Sequence, residues 1–487
     1  MKPFLLLVFT LFLFAVLAAG CVFESRSNRD RLLSPPETYM NVGNHGPVPT
    51  APWWHAFNDP ALDRLIDQTL TDNPDLAQAW ARLREAQAIA AREGGLLLPT
   101  LTMEGSGSRS QQLGFTGTSR STTWTGSLAA AYEIDLWKKL HQRTRAKLFA
   151  ASAAHLNAQA LSLTLAAQVA DLYFEALALR REIILAQAIE QNSAATLDLL
   201  EHRYDQGILA ADQLYDAKEE LALARDELPR LQSTLDAVKS SLAVLAGRFP
   251  ENRELPDLGR ELPLPPPPPA TGIPAQLLEW RPDLAAAKRT LAARDQEVAA
   301  AISDRLPTLT IAGSLGTSRL DLDHLVSSAT IWNVLLEIAA PVFDGGRRRA
   351  EVARAQAAYD QALAAYKKTL LAAVKEVEDA LSARTHAEKR HALAMERLET
   401  ARQDLDRAET QYRQGVIDGV ALLRAHRSYL LAANGEILAR RRFLAEHVTL
   451  ARALGAPWPE PPFPPPEGIS APHETPPASA ELFKDTP

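Results

Sequence analysis

Cysteine is nearly absent. Cys21 is the only one in 487 residues, which excludes an internal disulfide and any cysteine-built metal site. Methionine is also scarce, with four residues, which argues against a thioether-lined copper path. No basic cluster with interleaved aromatics occurs, and the net charge is −7, which argues against a nucleic-acid partner. After Leu17 there is no long apolar run, so no membrane-crossing helix is predicted and any passage through a bilayer falls to strands. Motifs of catalysis are missing too: no phosphate-cradling glycine loop, no zinc-spaced histidine pair, no nucleophile elbow. His386 and His391 are five apart on a predicted helix, not the spacing that brings two ligands to one face. No enzyme, metal or cofactor is therefore expected.

The N-terminus indicates the compartment. Lys2, an apolar run from Phe4 to Leu17, and then Ala18-Ala19-Gly20 before Cys21 read as a secretory signal. Leu17-Ala18-Ala19-Gly20-Cys21 resembles the lipobox of bacterial lipoproteins, with Ala18 where leucine is usual. That resemblance implies a diacylglycerol on the Cys21 thiol and an N-acyl chain after cleavage. A plain cleaved signal with an incidental cysteine is the competing reading.

The chain is written twice. Pro74-Asp75-Leu76 returns as Pro282-Asp283-Leu284, a shift of 208 positions. Leu98-Pro99-Thr100-Leu101-Thr102 returns as Leu306-Pro307-Thr308-Leu309-Thr310, and Trp124, Gly207 and Gly247 match Trp332, Gly415 and Gly455 at the same shift. A repeat this long is no solenoid. The predicted division is a signal peptide at 1–20, a lipid-anchored N-terminal segment at 21–60 and a first repeat at 61–255. A proline-rich linker at 256–274, a second repeat at 275–456 and a disordered tail at 457–487 follow. Pro265 to Pro269 would be stiff and extended.

Each repeat opens with a helix: Asp72 or Asn73 can cap it before Pro74 in the first copy, and Arg281-Pro282-Asp283 starts the equivalent helix in the second. The period then becomes two. Trp124, Leu128, Ala130, Tyr132 and Ile134 share one face, with Thr123, Thr125, Ser127, Glu133 and Asp135 on the other. Trp332, Val334, Leu336 and Ile338 repeat the pattern against Asn333 and Glu337. Such strands suit a membrane barrel or a half-buried soluble hairpin. Trp124 and Trp332 are expected near strand ends, in an interfacial girdle. Two hairpins are too few to close a barrel, so other chains must complete it.

Lys138 to Gln206 and Arg347 to Gln414 contain neither glycine nor proline, and predict helices of roughly 100 Å each. Alanine-rich faces predict close, coiled-coil-like packing. Gly207 and Gly415 end them as hairpin tips. The returning helices are expected to kink or break at Pro229 and Gly435.

Three phrases carry a family resemblance: Trp53-Trp54-His55-Ala56-Phe57-Asn58-Asp59-Pro60-Ala61-Leu62, Arg281-Pro282-Asp283-Leu284 and Pro341-Val342-Phe343-Asp344-Gly345-Gly346-Arg347. With the doubling and the order of elements, the chain resembles the TolC-like outer-membrane efflux proteins, in the NodT-type lipoprotein branch. The resemblance covers Cys21 to about Trp458. The fold class it implies is mainly α with a membrane β-barrel contribution: a homotrimeric twelve-stranded barrel standing on an α-helical periplasmic tunnel. It also implies outer-membrane lipid around the barrel, a periplasmic adaptor protein at the tunnel tip and an inner-membrane efflux transporter behind it. By the same resemblance Gly207, Ile208, Leu209, Gly415, Val416 and Ile417 lie where the tips meet the adaptor; the glycines equally suit a bare turn. The family's acidic aperture residue, nine positions after the tip glycine, falls on Asp216 in the first repeat and on Arg424 in the second. Asp212 and Asp418 are nearby alternatives, and all four also fit as solvated helix charges. The alternative function is a lipid-anchored periplasmic coiled-coil protein without a pore.

Overall fold

The computed structural model describes residues 35–40, 52–114, 117–250, 261–269, 271, 274, 277–322 and 325–455. Cys21, the signal segment and the tail at 457–487 lie outside the described residues, as does part of the proline-rich linker.

The two repeats fold alike. In the first, helix α1 (Pro60–Asp72) and helix α2 (Pro74–Gly95) precede a hairpin of β1 (Thr100–Gly114) and β2 (Gly117–Ile134). The long helix α3 (Lys139–Asp205) then leads to the returning helix α4 (Ala211–Leu245). In the second, a single turn α5 (Leu277–Trp280) precedes α6 (Pro282–Ser303), β3 (Thr308–Leu322) and β4 (Leu325–Ala339). The second long helix α7 (Arg347–Arg413) and its return α8 (Gly419–Leu454) complete it. Each long helix has 67 residues, about 100 Å at the usual rise.

Proline and asparagine set the first helix boundaries. Asp59 accepts from the Ala61 amide at 2.9 Å to cap α1, and Asn73 accepts from the amides of Asp75 at 2.9 Å and Leu76 at 3.1 Å to cap α2. Pro60 and Pro74 occupy the first helical positions, where no amide is needed. Asp59 is also tied to the core, because Tyr173 Oη donates to its Oδ2 at 2.6 Å. Pro229 and Gly435 break neither returning helix. Both positions are exposed, as is Arg225, whose carbonyl Pro229 leaves without an amide and which solvent can reach.

The long helices organise the packing. α3 lies against α2 and α6 in the strand half and against α4 and α8 in the tip half, while α7 lies against α6 and then α8. Buried alanines such as Ala158, Ala166, Ala170 and Ala176 let these helices approach closely. One window of α3 is apolar enough to cross a membrane by length and composition, but most of it is buried in the protein; it is a core helix. The main apolar cluster joins Trp53, Trp54 and Phe57 of a 3-10 turn to α1, α3, α4 and α8. Tyr39 packs on a second cluster around Leu277, Leu370 and Leu450. The N-terminal segment thereby touches both repeats.

Candidate functional site

All four strands form one antiparallel sheet in the order β1-β2-β3-β4. β2 of the first repeat pairs with β3 of the second along 14 residues, from Ser121↔Leu322 to Ile134↔Leu309. β1 and β4 are left as open edges, each of 15 residues.

The alternation read in the sequence maps onto the two faces of this sheet. One face carries Met103, Trp124, Leu128, Trp332, Val334 and Leu336, exposed by 46% to 88%. The other carries a polar ladder: Ser106 to Thr125 at 3.2 Å, Ser110 to Ser121 at 2.8 Å, and the Ser314 hydroxyl donating to Asn333 Oδ1 at 3.1 Å. Glu104, Glu133 and Glu337 share this polar face, and Lys139 pairs with Glu133 at 2.5 Å.

The strands are longer than the sequence pattern indicates, and the tryptophans are not near their ends. Trp124 lies mid-strand opposite Gly107, and Trp332 lies mid-strand opposite Leu315. Beyond Trp124 the strands continue as Ser, Thr, Gln and Arg, whose apolar contrast is too low to show a period. Trp124 therefore marks where the apolar face ends rather than where the strand ends. A Cβ on Gly107 would meet the Trp124 ring at 2.7 Å, so the glycine makes room for the indole.

At the opposite end, both helical tips close as Schellman motifs. Ile208 donates to the Arg203 carbonyl at 2.9 Å and Val416 to the Gln411 carbonyl at 2.9 Å. Gly207 and Gly415 sit at φ +71° and +72° with nothing within 4 Å of an added Cβ. The adaptor-facing trio splits in each tip. Ile208 and Val416 are 72% and 67% exposed. Leu209 turns inward onto Leu200, Ala217 and Val420, and Ile417 is half-buried.

Of the four aperture candidates, Asp418 is held by Arg203 of the other hairpin rather than by another candidate. Asp418 caps α8 by accepting from the Ala421 amide at 2.8 Å, and accepts from Arg203 Nη2 at 2.9 Å. These two bonds, with Arg203 and Arg424 close by, hold its carboxyl below the ordinary range. Asp212 and Asp216 are exposed one turn apart on α4 and form no ion pair among the described residues. The seam between α3 and α8 carries further polar ties that the sequence does not reveal. Asn192 Nδ2 donates to the Leu423 carbonyl at 3.2 Å, and Arg427 donates to Ser193 Oγ at 2.9 Å and pairs with Glu220. No cluster of three potential metal ligands occurs among the described residues.

An open amphipathic sheet at one end of two stacked helical hairpins defines a class: the subunit of an oligomeric membrane channel with a long helical extension. Comparison narrows it. The sequence profile described as outer membrane efflux protein matches residues 65–248 and again 273–456. The pyoverdine export outer membrane protein OpmQ of Pseudomonas putida is 32% identical over 84% of this chain and 89% of that protein. Nodulation protein T of Rhizobium leguminosarum bv. trifolii is 27% identical over 91% and 96% respectively. The solved outer-membrane channel OprN is 28% identical, with a TM-score of 0.73, over 87% of this chain and 99% of that one. VceC of Vibrio cholerae is 27% identical at 0.73, over 84% and 99%. The chain belongs to the outer membrane efflux protein family. It is an outer-membrane efflux channel subunit that extends into the periplasm, and the pore-free coiled-coil alternative finds no support in these relatives.

Proposed function

We propose that three copies of this chain close one barrel and one tunnel, forming a passive exit duct. The observation that carries this is the pair of open edges, β1 and β4, on a sheet whose apolar face is exposed. An open edge in lipid leaves a row of backbone amides and carbonyls unpaired at several kcal/mol each. β4 of one subunit pairing with β1 of the next removes both edges, and antiparallel order is preserved around the ring.

At the periplasmic end the exposed Ile208 and Val416 offer apolar contacts to an adaptor, and the adaptor couples the duct to an inner-membrane transporter. Asp212, Asp216 and Arg424 project from the helices just behind the tips, where threefold symmetry would repeat them around the aperture. The duct performs no chemistry; energy comes from the transporter. Relatives bear names tied to pyoverdine, antibiotics, toluene and cations, so one fold serves unlike cargo and the choice of cargo is assigned to the inner-membrane partner. Cys21 carries the lipid anchor.

The test is the native mass of the mature protein in detergent, beside a Cys21→Ser version. The expected result is a trimer, each subunit bearing acyl mass that Cys21→Ser lacks. A lipid-bearing monomer would overturn the shared barrel, and a trimer of unmodified chains would overturn the anchor alone.

A further inference from the structure

The charges of the sheet are sorted by face and by height. In the half next to the helices every charged side chain, Glu104, Glu133 and Glu337, lies on the polar face. In the half next to the hairpin turns the polar face carries no charge among the described residues. There, among the described residues, the other face, the one that bears Trp124, carries Arg109, Arg120, Arg319 and one acid, Asp321.

The three arginines lie on three consecutive strands of one face, with Arg109 and Arg120 diagonal to each other across β1 and β2 and Arg319 on β3, on the far side of β2 from Arg109. Arg319 is the cross-strand partner of Trp124, and Arg109 is the partner of Thr122, the next residue outward on that face. Arg120 lies one step further and donates from Nε to Gln111 Oε1 at 3.2 Å. Opposite and diagonal neighbours on one face of a sheet are about 5 to 8 Å apart. The guanidinium groups therefore reach a common area roughly 15 Å across. All three are exposed, and Asp321 is the one acidic residue beside them among the described residues.

Placement excludes two ordinary explanations. Cargo passes on the polar face, so these arginines do not screen it. Solubilising a hairpin end needs charge of either sign on either face, whereas here one sign dominates on one face. An arginine on the lipid side costs about 2 to 4 kcal/mol at mid-bilayer and nearly nothing at the interface, which puts this row at headgroup height with Trp124 as its lower boundary. Guanidinium forks match phosphate oxygens in bidentate geometry.

We propose that Arg109, Arg120 and Arg319 form a docking band for the phosphorylated sugar headgroup of the outer-leaflet glycolipid, one band on each subunit. The inference rests on the trimeric barrel proposed above. It is tested by native mass spectrometry of the full-length protein in detergent, titrated with bisphosphorylated lipid A, monophosphorylated lipid A and phosphatidylethanolamine. The proteins compared are wild type, R109Q, R319Q and the R109Q/R120Q/R319Q variant, with E104Q as a control on the polar face. The trimer is expected to bind up to three bisphosphorylated molecules, more weakly when a phosphate is removed. Each arginine lost should weaken binding about fivefold and the triple change on the order of a hundredfold, while E104Q binds as wild type. Trimers that bind all three lipids alike, or a triple variant that binds as wild type, would overturn the docking band and leave the barrel standing. A protein that runs only as monomers would overturn both.

Discussion

Asn73 and Arg281 stand at the same place in the two repeats, and each donates a hydrogen bond across 172 residues to a last-turn carbonyl of the returning helix. Asn73 Nδ2 reaches the Leu245 carbonyl at 2.9 Å, and Arg281 Nη1 reaches the Ala453 carbonyl at 3.1 Å. The end of α4 thus abuts the start of α2, and the end of α8 abuts the start of α6. Each long helix is lined by two shorter ones laid end to end. In the first repeat a neutral amide makes the joint and caps α2 as well. In the second a buried guanidinium makes it, anchored to Asp283 at 2.7 Å and to Glu376 at 2.9 Å.

The two joints should therefore fail differently. Asn73→Ala loses a cap and an interhelical bond, about 1 to 2 kcal/mol of stability. Arg281→Met strands the Ala453 carbonyl and two carboxylates that remain partly exposed, costing about 3 kcal/mol. Arg281→Lys should recover little, because an ammonium cannot span Asp283 and Glu376 as a planar fork does. Thermal unfolding in detergent followed by circular dichroism checks the ranking; equal losses for Arg281→Met and Asn73→Ala would contradict it.

The glycines divide in the same manner. An added Cβ on Gly247 would lie 2.4 Å from the Asp72 carbonyl oxygen, and on Gly455 2.8 Å from Arg281 Cγ, whereas Gly207 and Gly415 have open space. All four have positive φ, so each alanine substitution carries about 1 to 2 kcal/mol of backbone strain. Only Gly247→Ala and Gly455→Ala add a clash at a joint, and they should lower the unfolding midpoint well beyond the tip variants. If Gly207→Ala and Gly415→Ala keep the fold yet abolish cross-linking to an adaptor, the tips are a contact surface and not only turns.

His447 predicts an acid response. Its ring is 2% exposed, lies 5.6 Å from that of Phe57, and receives Arg384 Nε at 3.5 Å. Burial first, and Arg384 second, push its pKa down to about 3. Below about pH 6.5 the unfolded chain binds a proton that the folded chain refuses, so stability falls with pH by up to about 1.4 kcal/mol per unit until about pH 3. His447→Gln, which has no such proton, should show a smaller gap in unfolding midpoint between pH 7.5 and pH 4.5. An unchanged gap would assign the acid response to other groups.

The tie between the two tips behaves in the opposite sense. The Asp418 carboxyl is held low by the Ala421 amide and by Arg203. Its contribution is present above about pH 4 and lost as the pH falls through the lowered value, so it is constant from pH 5 to 8. Asp418→Asn keeps a good capping oxygen and loses an exposed ion pair, a change below about 1 kcal/mol. Asp418→Ala loses both. Hydrogen exchange at the first turn of α8 should rise for Asp418→Ala, and little for Asp418→Asn or Arg203→Ala.

Local chemistry made much of this legible in the sequence, and distance hid the rest. The faces of the strands follow from their period, and the long helices from the absence of glycine and proline between Lys138 and Gln206 and between Arg347 and Gln414. The Asn73 cap is written beside Pro74, but its bond to Leu245 depends on a residue 172 positions away. Likewise, nothing near Asp418 singles it out from Asp212 or Asp216, because its partner Arg203 belongs to the other hairpin, 215 positions earlier. In the sequence Trp124 reads as terminal because the alternation fades into serine and threonine where the strand itself does not stop. Pro229 reads as a break because exposure, which makes its missing bond tolerable, is a tertiary property.

In the proposed assembly the open edges β1 and β4 meet between chains in a closed ring of three. Cys21 is the only native cysteine, so a Cys21→Ser background allows clean cross-linking. One cysteine replaces Ser106 on β1, and a second is moved in turn along Ser327, Ala329, Ile331, Asn333 and Leu335 on β4, all on the polar face. Oxidation of the protein in native outer membranes should yield, for one or two adjacent positions on β4, a covalent ladder that ends at three chains. A ladder that runs past three, or none at any position, would contradict the closed ring.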